Sequence, residues 1–389
     1  NVCEIGKDKI LQKYGLVADQ SRSNFYRVSQ RNPIYTAAIL QQNEKETISV
    51  AEPDIASSTT FYQSDATYKK EQWYFDNKGK DQNSKIWTNP AVFQKGQDAR
   101  IQKAHDFLGK AIEQTANETV LVTDDACWLD HPDLGSHRFV GTYNSWTDAE
   151  DVNPNSEFDG HGTACTGIIA ANQSNNVCGI APYAKIAFFE ISYVSAYHIQ
   201  QWIDFAIKHN VKVISCSWGA SHLGYVRGTS IDEIFKEAQE QHNILVLFAA
   251  GNHGTNIPSG ALANSPYVIS VAAKGSQGFL AQYSNRNADL SAPSSGNGAD
   301  IVTSGLQPEI VNTSFGGTSA ACPIVAGVAV LMRSVNPQLT PKQIKEILIT
   351  TANKNEKYPP DAVGYHSFVG YGMVDAYNAV YAAIHYKPN

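Results

Sequence analysis

AKIAFFEISYVSAYHIQQWIDFAIKHNVKVISCSW (residues 184–218) sets two apolar runs around one amphipathic segment. AKIAFFEI (184–191) and VKVISCSW (211–218) are rich in β-branched and aromatic residues and read as strands. Between them, AYHIQQWIDFAIKHN (196–210) repeats apolar residues at i, i+3, i+4 and i+7, the period of a helix with one buried face. Strands that are apolar on both faces must be covered on both, so this unit predicts a parallel sheet between helical layers. Working outward, ETVLVTD (118–124), ILVLFAAG (244–251) and YVISVAA (267–273) are further buried strands, and TSIDEIFKEAQEQH (229–242) is a second helix. The fold class is therefore α/β, three layers deep. In such sheets ligands bind beyond the carboxyl ends of the strands, so the residues just after each strand are the ones that matter.

Composition narrows the function. With 30 basic and 37 acidic residues the net charge is −7, and no basic block stands out, which argues against nucleic acid or an anionic membrane as partner. No apolar run in the sequence approaches the roughly 18–20 residues of a membrane span. A low charged fraction of 17%, with abundant Asn, Gln, Ser, Thr and Tyr, suits a secreted protein, extracellular or periplasmic; a monomer is expected. The chain opens on Asn1, not Met, and reads as a processed product or an expressed piece of a longer chain. Six cysteines stand at 3, 127, 165, 178, 216 and 322 without zinc spacing. Cys165, Cys216 and Cys322 sit in apolar surroundings as buried free thiols, while a disulfide among Cys127, Cys165 and Cys178 stays open.

The first 61 residues differ. KDKILQKYGL, NFYRVS, NPIYTAAILQQNE and TISVAEPD alternate helix and strand in a small α+β unit, too short to carry much core alone. IASSTTFYQSDATYKK (55–70) lacks periodicity and reads as a protease-accessible linker. The domains are then 1–61 and 62–389, the latter with an extension at 62–117 and a core at 118–385.

Three segments place reactive side chains where the sheet rule points. Asp124 and Asp125 end a buried strand in VLVTDDACWLDHPDL, and His161 opens a helix in FDGHGTACTGIIAA between two glycines. In FGGTSAACPIVAGVAVLM (315–332), Ser319 stands between a glycine turn and a helical apolar run, a position that suits both a helix cap and a nucleophile. A hydroxyl is a weak nucleophile until a base takes its proton, and the base needs a carboxylate to orient it. Asp, His and Ser in this order fit one of the known arrangements of that triad. LFAAGNHGT (247–255) ends a strand at Asn252, whose amide is placed to stabilise an oxyanion. His131 and His253 read as structural and loop residues. No G-x-S-x-G surrounds Ser319, which removes the lipase and esterase reading.

From about 65 to 385 the chain resembles the subtilisin-type serine proteases, the subtilases. The resemblance rests on the D-x-G-like segment at Asp124, H-G-T-x-x-x-G at His161, S-W-G at Ser217, A-A-G-N at 249–252 and G-T-S-A-x-x-P at 317–323. It implies a subtilisin-like fold preceded by a ferredoxin-like propeptide, with Asp124 orienting the base, His161 as base, Ser319 as nucleophile and Asn252 with the Ser319 N–H as oxyanion hole. One departure is Ala126, where the family has glycine; Ala tolerates positive φ poorly, so the turn is either altered or strained.

Motif detail resembles the kexin and furin branch, which implies a Ca²⁺ ion held by Asp133, the Asn175 side chain, the carbonyls of Asn172, Val177 and Gly179, and Asp65. A second ion near Asp148, Glu150 and Asp151 competes with a plain solvated loop. That branch cuts after basic residues through carboxylates in S1. Here SWGASHLG (217–224), AAGNHG (249–254) and IPSGALANSP (257–266) contain no Asp or Glu. Ser217, Trp218, Gly219, Ala250, Gly251, Ser259 and Gly260 then wall a roomy pocket for a large apolar or aromatic P1 residue. Residues 1–61 resemble most of an inhibitory propeptide, removed by self-cleavage near Phe61 or Tyr62, with Lys69-Lys70 as rival site. The reading is a propeptide-inhibited endopeptidase acting on protein or peptide substrates; the alternatives are a kexin-like protease cutting after basic residues and a catalytically silent scaffold.

Overall fold

The computed structural model describes residues 17–18, 26–27, 68–172, 176–191, 194–219, 228–296, 298–307, 310–354 and 357–386. In the N-terminal unit it describes the antiparallel pair β1 (Val17–Ala18) and β2 (Tyr26–Arg27). The other elements expected there, the junction near Phe61 and Tyr62, and Cys3 lie outside the described residues.

The extension at 68–117 is built into the body of the protein. Trp73 and Tyr74 are fully buried, the Trp73 indole N–H donates to the Asp300 carbonyl (2.8 Å), and a short helix α1 (Ile101–Leu108) follows. Next come β3 (Thr119–Asp124), β4 (Phe139–Asn144), α2 (His161–Ala170), β5 (Lys185–Glu190), α3 (Ala196–Lys208), β6 (Val213–Cys216), α4 (Thr229–Glu240), β7 (Leu245–Ala249), β8 (Val268–Lys274) and β9 (Leu290–Pro293). The chain closes with an antiparallel ribbon β10 (Ile301–Ser304)–β11 (Val311–Phe315) and helices α5 (Gly317–Val335), α6 (Pro341–Thr351) and α7 (Ala376–Ile384).

Seven strands form one parallel sheet in the order β4-β5-β3-β6-β7-β8-β9. The chain leaves β3 for the edge at β4, returns through β5 and crosses to β6, so the strand order reverses beside β3. Ligand sites of such sheets form at that reversal. Period-two alternation fills the two faces. Val120 and Val122 join α2 and α5 in one core, while Leu121 joins α3 and α4, with Trp202 and Phe235, in the other. Burial of a side chain such as Phe235 or Phe248 stabilises by about 1.5–3 kcal/mol.

The helices begin where their capping residues allow. Ser195 Oγ accepts from the His198 N–H (3.3 Å), Thr340 and Gln343 form a reciprocal capping box before α6, and Asp375 Oδ1 accepts from the Asn378 N–H (2.8 Å). Two expectations change. Helix α5, at 19 residues, is long and apolar enough to cross a membrane, contrary to the reading of the sequence; 94% of that stretch is buried inside the protein, where it is the central helix of one core. Cys127, Cys165 and Cys178 are free, so the disulfide left open among them is absent; burial pushes all three thiols up. Cys216 and Cys322 are buried and free, as expected.

Candidate active site

Asp124 is the last residue of β3 and is 3% exposed. Its Oδ1 lies 2.6 Å from His161 Nδ1, at the first turn of α2. This contact requires β3 and α2 to approach closely, and Gly162 permits it. A Cβ there would collide with the Ala126 carbonyl and stand 2.6 Å from Phe188 Cζ and 2.9 Å from Asp124 Cβ. Asp125 has a different task. Its Oδ1 accepts from the N–H groups of Gly162 (2.7 Å) and Ala126 (2.6 Å), and its Oδ2 from that of His161 (3.3 Å). It thus caps α2, whose own N-cap, Gly160, has no side chain to do so. Ala126 is not among the positive-φ residues, so its turn differs from a glycine turn without strain.

Burial works against a charged His161 ring, but the Asp124 carboxylate outweighs it and holds the imidazole above its ordinary range. Cys165, one turn along α2, places its sulfur 3.8 Å from His161 Nδ1 and 3.7 Å from the Ser319 carbonyl. That carbonyl is available because Pro323, four residues on in α5, has no N–H to give it. Glu190 pairs in register with Asp124 on the neighbouring strand; burial, then Asp125 and Asp159, raise its carboxyl to about 7.

Ser319 lies in the first turn of α5, and its Oγ donates to the Ser217 carbonyl (2.9 Å) rather than to His161. Asn252 follows β7. Its Oδ1 accepts from the N–H (2.8 Å) and the hydroxyl (2.9 Å) of Thr318, which turns its amide nitrogen outward beside Gly317. Thr318 in turn accepts from the Gly251 N–H (3.1 Å). Asp124, His161, Asn252 and Ser319 therefore come together at the carboxyl ends of β3 and β7 and the amino ends of α2 and α5.

Beside them lies a cavity of about 450 Å³ lined by Trp218, Gly219, Ala250, Gly251, Ser259 and Gly260, with Phe248 and Leu262; among the described residues its lining holds no Asp or Glu. Ser217 is not in that lining, and its role here is the carbonyl on Ser319. His253 lines the cavity too, although the sequence suggested only a loop residue. Asn285 escaped sequence reading. Its amide donates to the Ala250 carbonyl (2.9 Å) and its Oδ1 accepts from the His253 N–H (3.1 Å), so it shapes the strand-end loop that carries Asn252. No local pattern marks this residue.

The candidate calcium loop packs on Asp133, which is fully buried. Asp133 Oδ1 accepts from the Asn176 N–H (2.8 Å) and side-chain amide (3.2 Å), while Oδ2 is buried without a hydrogen bond. Burial raises this carboxyl. The Asn172 N–H donates to the Asp133 carbonyl (2.6 Å), Val177 is buried, and the Gly179 N–H closes the loop on the Ala171 carbonyl (2.8 Å). An orphaned, buried carboxylate oxygen is the kind of donor that a hard cation takes. Asp65 and Asn175 lie outside the described residues. His131 is structural as expected: Nε2 meets the Ile310 carbonyl (2.9 Å) and Nδ1 accepts from the Asp133 N–H (3.0 Å). The second ion finds less support. Asp148 accepts from the Tyr143 hydroxyl (2.7 Å) and Asp151 from Asn153 (2.9 Å), and among the described residues the one convergent trio of His, Cys, Asp or Glu is Asp124, His161 and Cys165.

The subtilase family model matches residues 115–372, which hold all four candidate residues. The chain belongs to the subtilase family. This subtilase is 28% identical over 311 residues to a calcium-dependent protease of Trichormus variabilis, covering 69% of this chain and 47% of that protein. It is 30% identical over 292 residues to kexin of Saccharomyces cerevisiae, covering 68% and 35%. The chain thus spans half or less of the length of these curated relatives. A serine protease of Aeromonas sobria has the same fold, with a TM-score of 0.70 at 19% identity over 83% of this chain and 68% of that one.

Proposed function

We propose that this subtilase is a calcium-supported serine endopeptidase in which Ser319 attacks the scissile carbonyl, His161 takes its proton and Asp124 orients and stabilises the imidazolium. The observation that carries this reading is the 2.6 Å contact from Asp124 to His161 Nδ1, which engages that nitrogen and leaves Nε2 to take the Ser319 proton. Substrate entry rotates Ser319 Oγ from the Ser217 carbonyl to that nitrogen, the tightening expected on leaving an unliganded state. The oxyanion is met by the Asn252 amide and the Ser319 N–H. Gly317 and Thr318 give their N–H groups to Ser295 and Asn252, which leaves the next amide of α5 for the ligand. His161 then protonates the leaving amine, and water, activated by the same ring, clears the acyl group.

The cavity beside Ser319 takes the P1 side chain. With no carboxylate among the described residues of its lining, it selects large apolar or aromatic residues over Lys or Arg. Asp133, Asn175, Asp65 and the carbonyls of Asn172, Val177 and Gly179 would hold a Ca²⁺ ion, which would neutralise the buried carboxylate; the similarity to a calcium-dependent protease of Trichormus supports a calcium requirement. The protein is made with residues 1–61 as an inhibitory propeptide and is exported. The Tyr68 N–H donates to the Asn176 carbonyl (2.8 Å), Glu71 is 4% exposed and Gln72 pairs on both sides with Cys178. A cut after Lys70 would bury a new ammonium at Glu71, so the cut near Phe61 or Tyr62 is favoured. Mass spectrometry of the chain incubated with Ca²⁺, followed by a P1-varied peptide library, tests the reading. Self-cleavage near residue 61 and preference for Phe, Tyr or Leu at P1 are expected; cleavage after Lys70 or preference for Arg and Lys refutes it.

A further inference from the structure

The turn that carries Ser319 is held from two sides, and one of them has no part in the chemistry above. On one side, Asn252 takes the Thr318 N–H. On the other stand two consecutive serines at the end of β9. Ser295 Oγ accepts from the Gly317 N–H (3.2 Å), and Ser294 Oγ donates to the Gly317 carbonyl (2.6 Å). Both polar groups of one peptide residue, two positions before the nucleophile, are therefore satisfied by side chains. Gly317 needs such a clamp, because it sits at φ 72°, and Gly316 before it has no side-chain cap to offer α5.

A third residue fixes the serines. The Tyr283 hydroxyl lies 2.9 Å from Ser295 Oγ, donates to the Ser295 carbonyl (2.7 Å) and reaches Ser294 Oγ at 3.3 Å. Ser294 is fully buried, which shields its bond to the Gly317 carbonyl, whereas Ser295 and Tyr283 are half-buried. The fit is also steric. Gly316 passes so close that a Cβ on it would overlap Ser295 Oγ. The hydroxyl that holds Gly317 is thus the same atom that forbids a side chain at Gly316.

We propose that Ser295, with Ser294 and Tyr283, is a positioning residue that sets the Gly316–Gly317 turn and thereby the attack geometry of Ser319 and its N–H. None of the three lines the P1 cavity. The inference rests on the proposed role of Ser319. A displacement of even about 1 Å at a reacting atom costs on the order of 10²-fold in rate. The clamp should therefore be visible in kcat, while the P1 cavity, lined by other residues, leaves KM unchanged.

The test compares the activated parent with Ser295→Ala, Tyr283→Phe, Gly316→Ala, and Gly316→Ala combined with Ser295→Gly, on one chromogenic peptide, alongside thermal unfolding. Expected are a kcat loss of about 10- to 100-fold for Ser295→Ala with KM within twofold, and a smaller loss for Tyr283→Phe. Gly316→Ala should be far more damaging in the parent than in the Ser295→Gly background, where the added methyl has room. A merely structural role would lower the melting temperature and leave kcat of the folded enzyme intact. Equal kcat for the parent and Ser295→Ala, or an equal effect of Gly316→Ala in both backgrounds, overturns the inference alone. A processed parent without peptidase activity overturns the proposed function, and this inference with it.

Discussion

Gly162→Ala is the substitution on which the close approach of β3 and α2 is most exposed. Alanine favours a helix by about 1 kcal/mol over glycine, so local propensity alone would stabilise α2. Packing opposes it. The new methyl would overlap the Ala126 carbonyl and stand 2.6 Å from Phe188 Cζ; reaching an ordinary contact of 3.4 Å demands a shift of about 0.8 Å in the first turn of α2. His161 is the preceding residue and must move with it, away from Asp124. Overpacking of this kind costs about 1–3 kcal/mol, which leaves a modest net loss of stability. The kinetic cost is larger, on the order of 10²-fold in kcat/KM, because the base and its carboxylate lose their 2.6 Å contact. Peptide hydrolysis and thermal unfolding on the same preparation measure both. A variant with parent-like kcat/KM and an unchanged melting temperature would refute the steric argument.

Asp124→Asn should lower kcat by about 10⁴-fold while the fold persists. Because the Asp124 charge holds His161 above its ordinary range, its removal should also move the acidic limb of the kcat/KM profile to lower pH; an unmoved limb contradicts the assignment. By linkage, a raised pKa in the folded state stabilises the protein below the unfolded value of about 6.5, and that contribution is lost as pH rises through the folded value. Asp125→Ala removes an acceptor for three N–H groups and should destabilise by about 1–3 kcal/mol, read as a lower melting temperature. A chelator should lower the melting temperature of the parent but not of Asp133→Asn, since the buried carboxylate that draws the cation is gone. Equal chelator sensitivity in both would remove Asp133 from the site.

The central strands could be read because they are apolar on both faces: β3, β5, β6 and β7 fall within the segments expected from sequence, and β8 runs one residue past its own. The edge strand β4 could not, since Phe139–Asn144 is mostly half-exposed and lacks an apolar run. β9, β10 and β11 are short and carry Ser, Thr and Asn, whose burial depends on partners distant in sequence. The same division holds at the site. Asp124, His161, Asn252 and Ser319 stand at strand and helix ends, where sequence order and sheet geometry point to them. Asn285, Tyr283, Ser294 and Ser295 act through contacts to loops that only the folded chain brings near. Ser319 itself shows why local pattern is not enough. It begins a buried helix, as a cap would, and only the neighbouring ends of β3, α2 and β7 distinguish it.

The central claim is that Ser319 is an activated nucleophile. The most direct measurement is to treat the Ca²⁺-incubated, processed chain with a fluorophosphonate and to map the adduct by peptide mass spectrometry. One adduct per chain on the peptide carrying Ser319 is expected, absent in Ser319→Ala and strongly slowed in His161→Ala. An unlabelled processed chain, or an adduct on another residue, would contradict it.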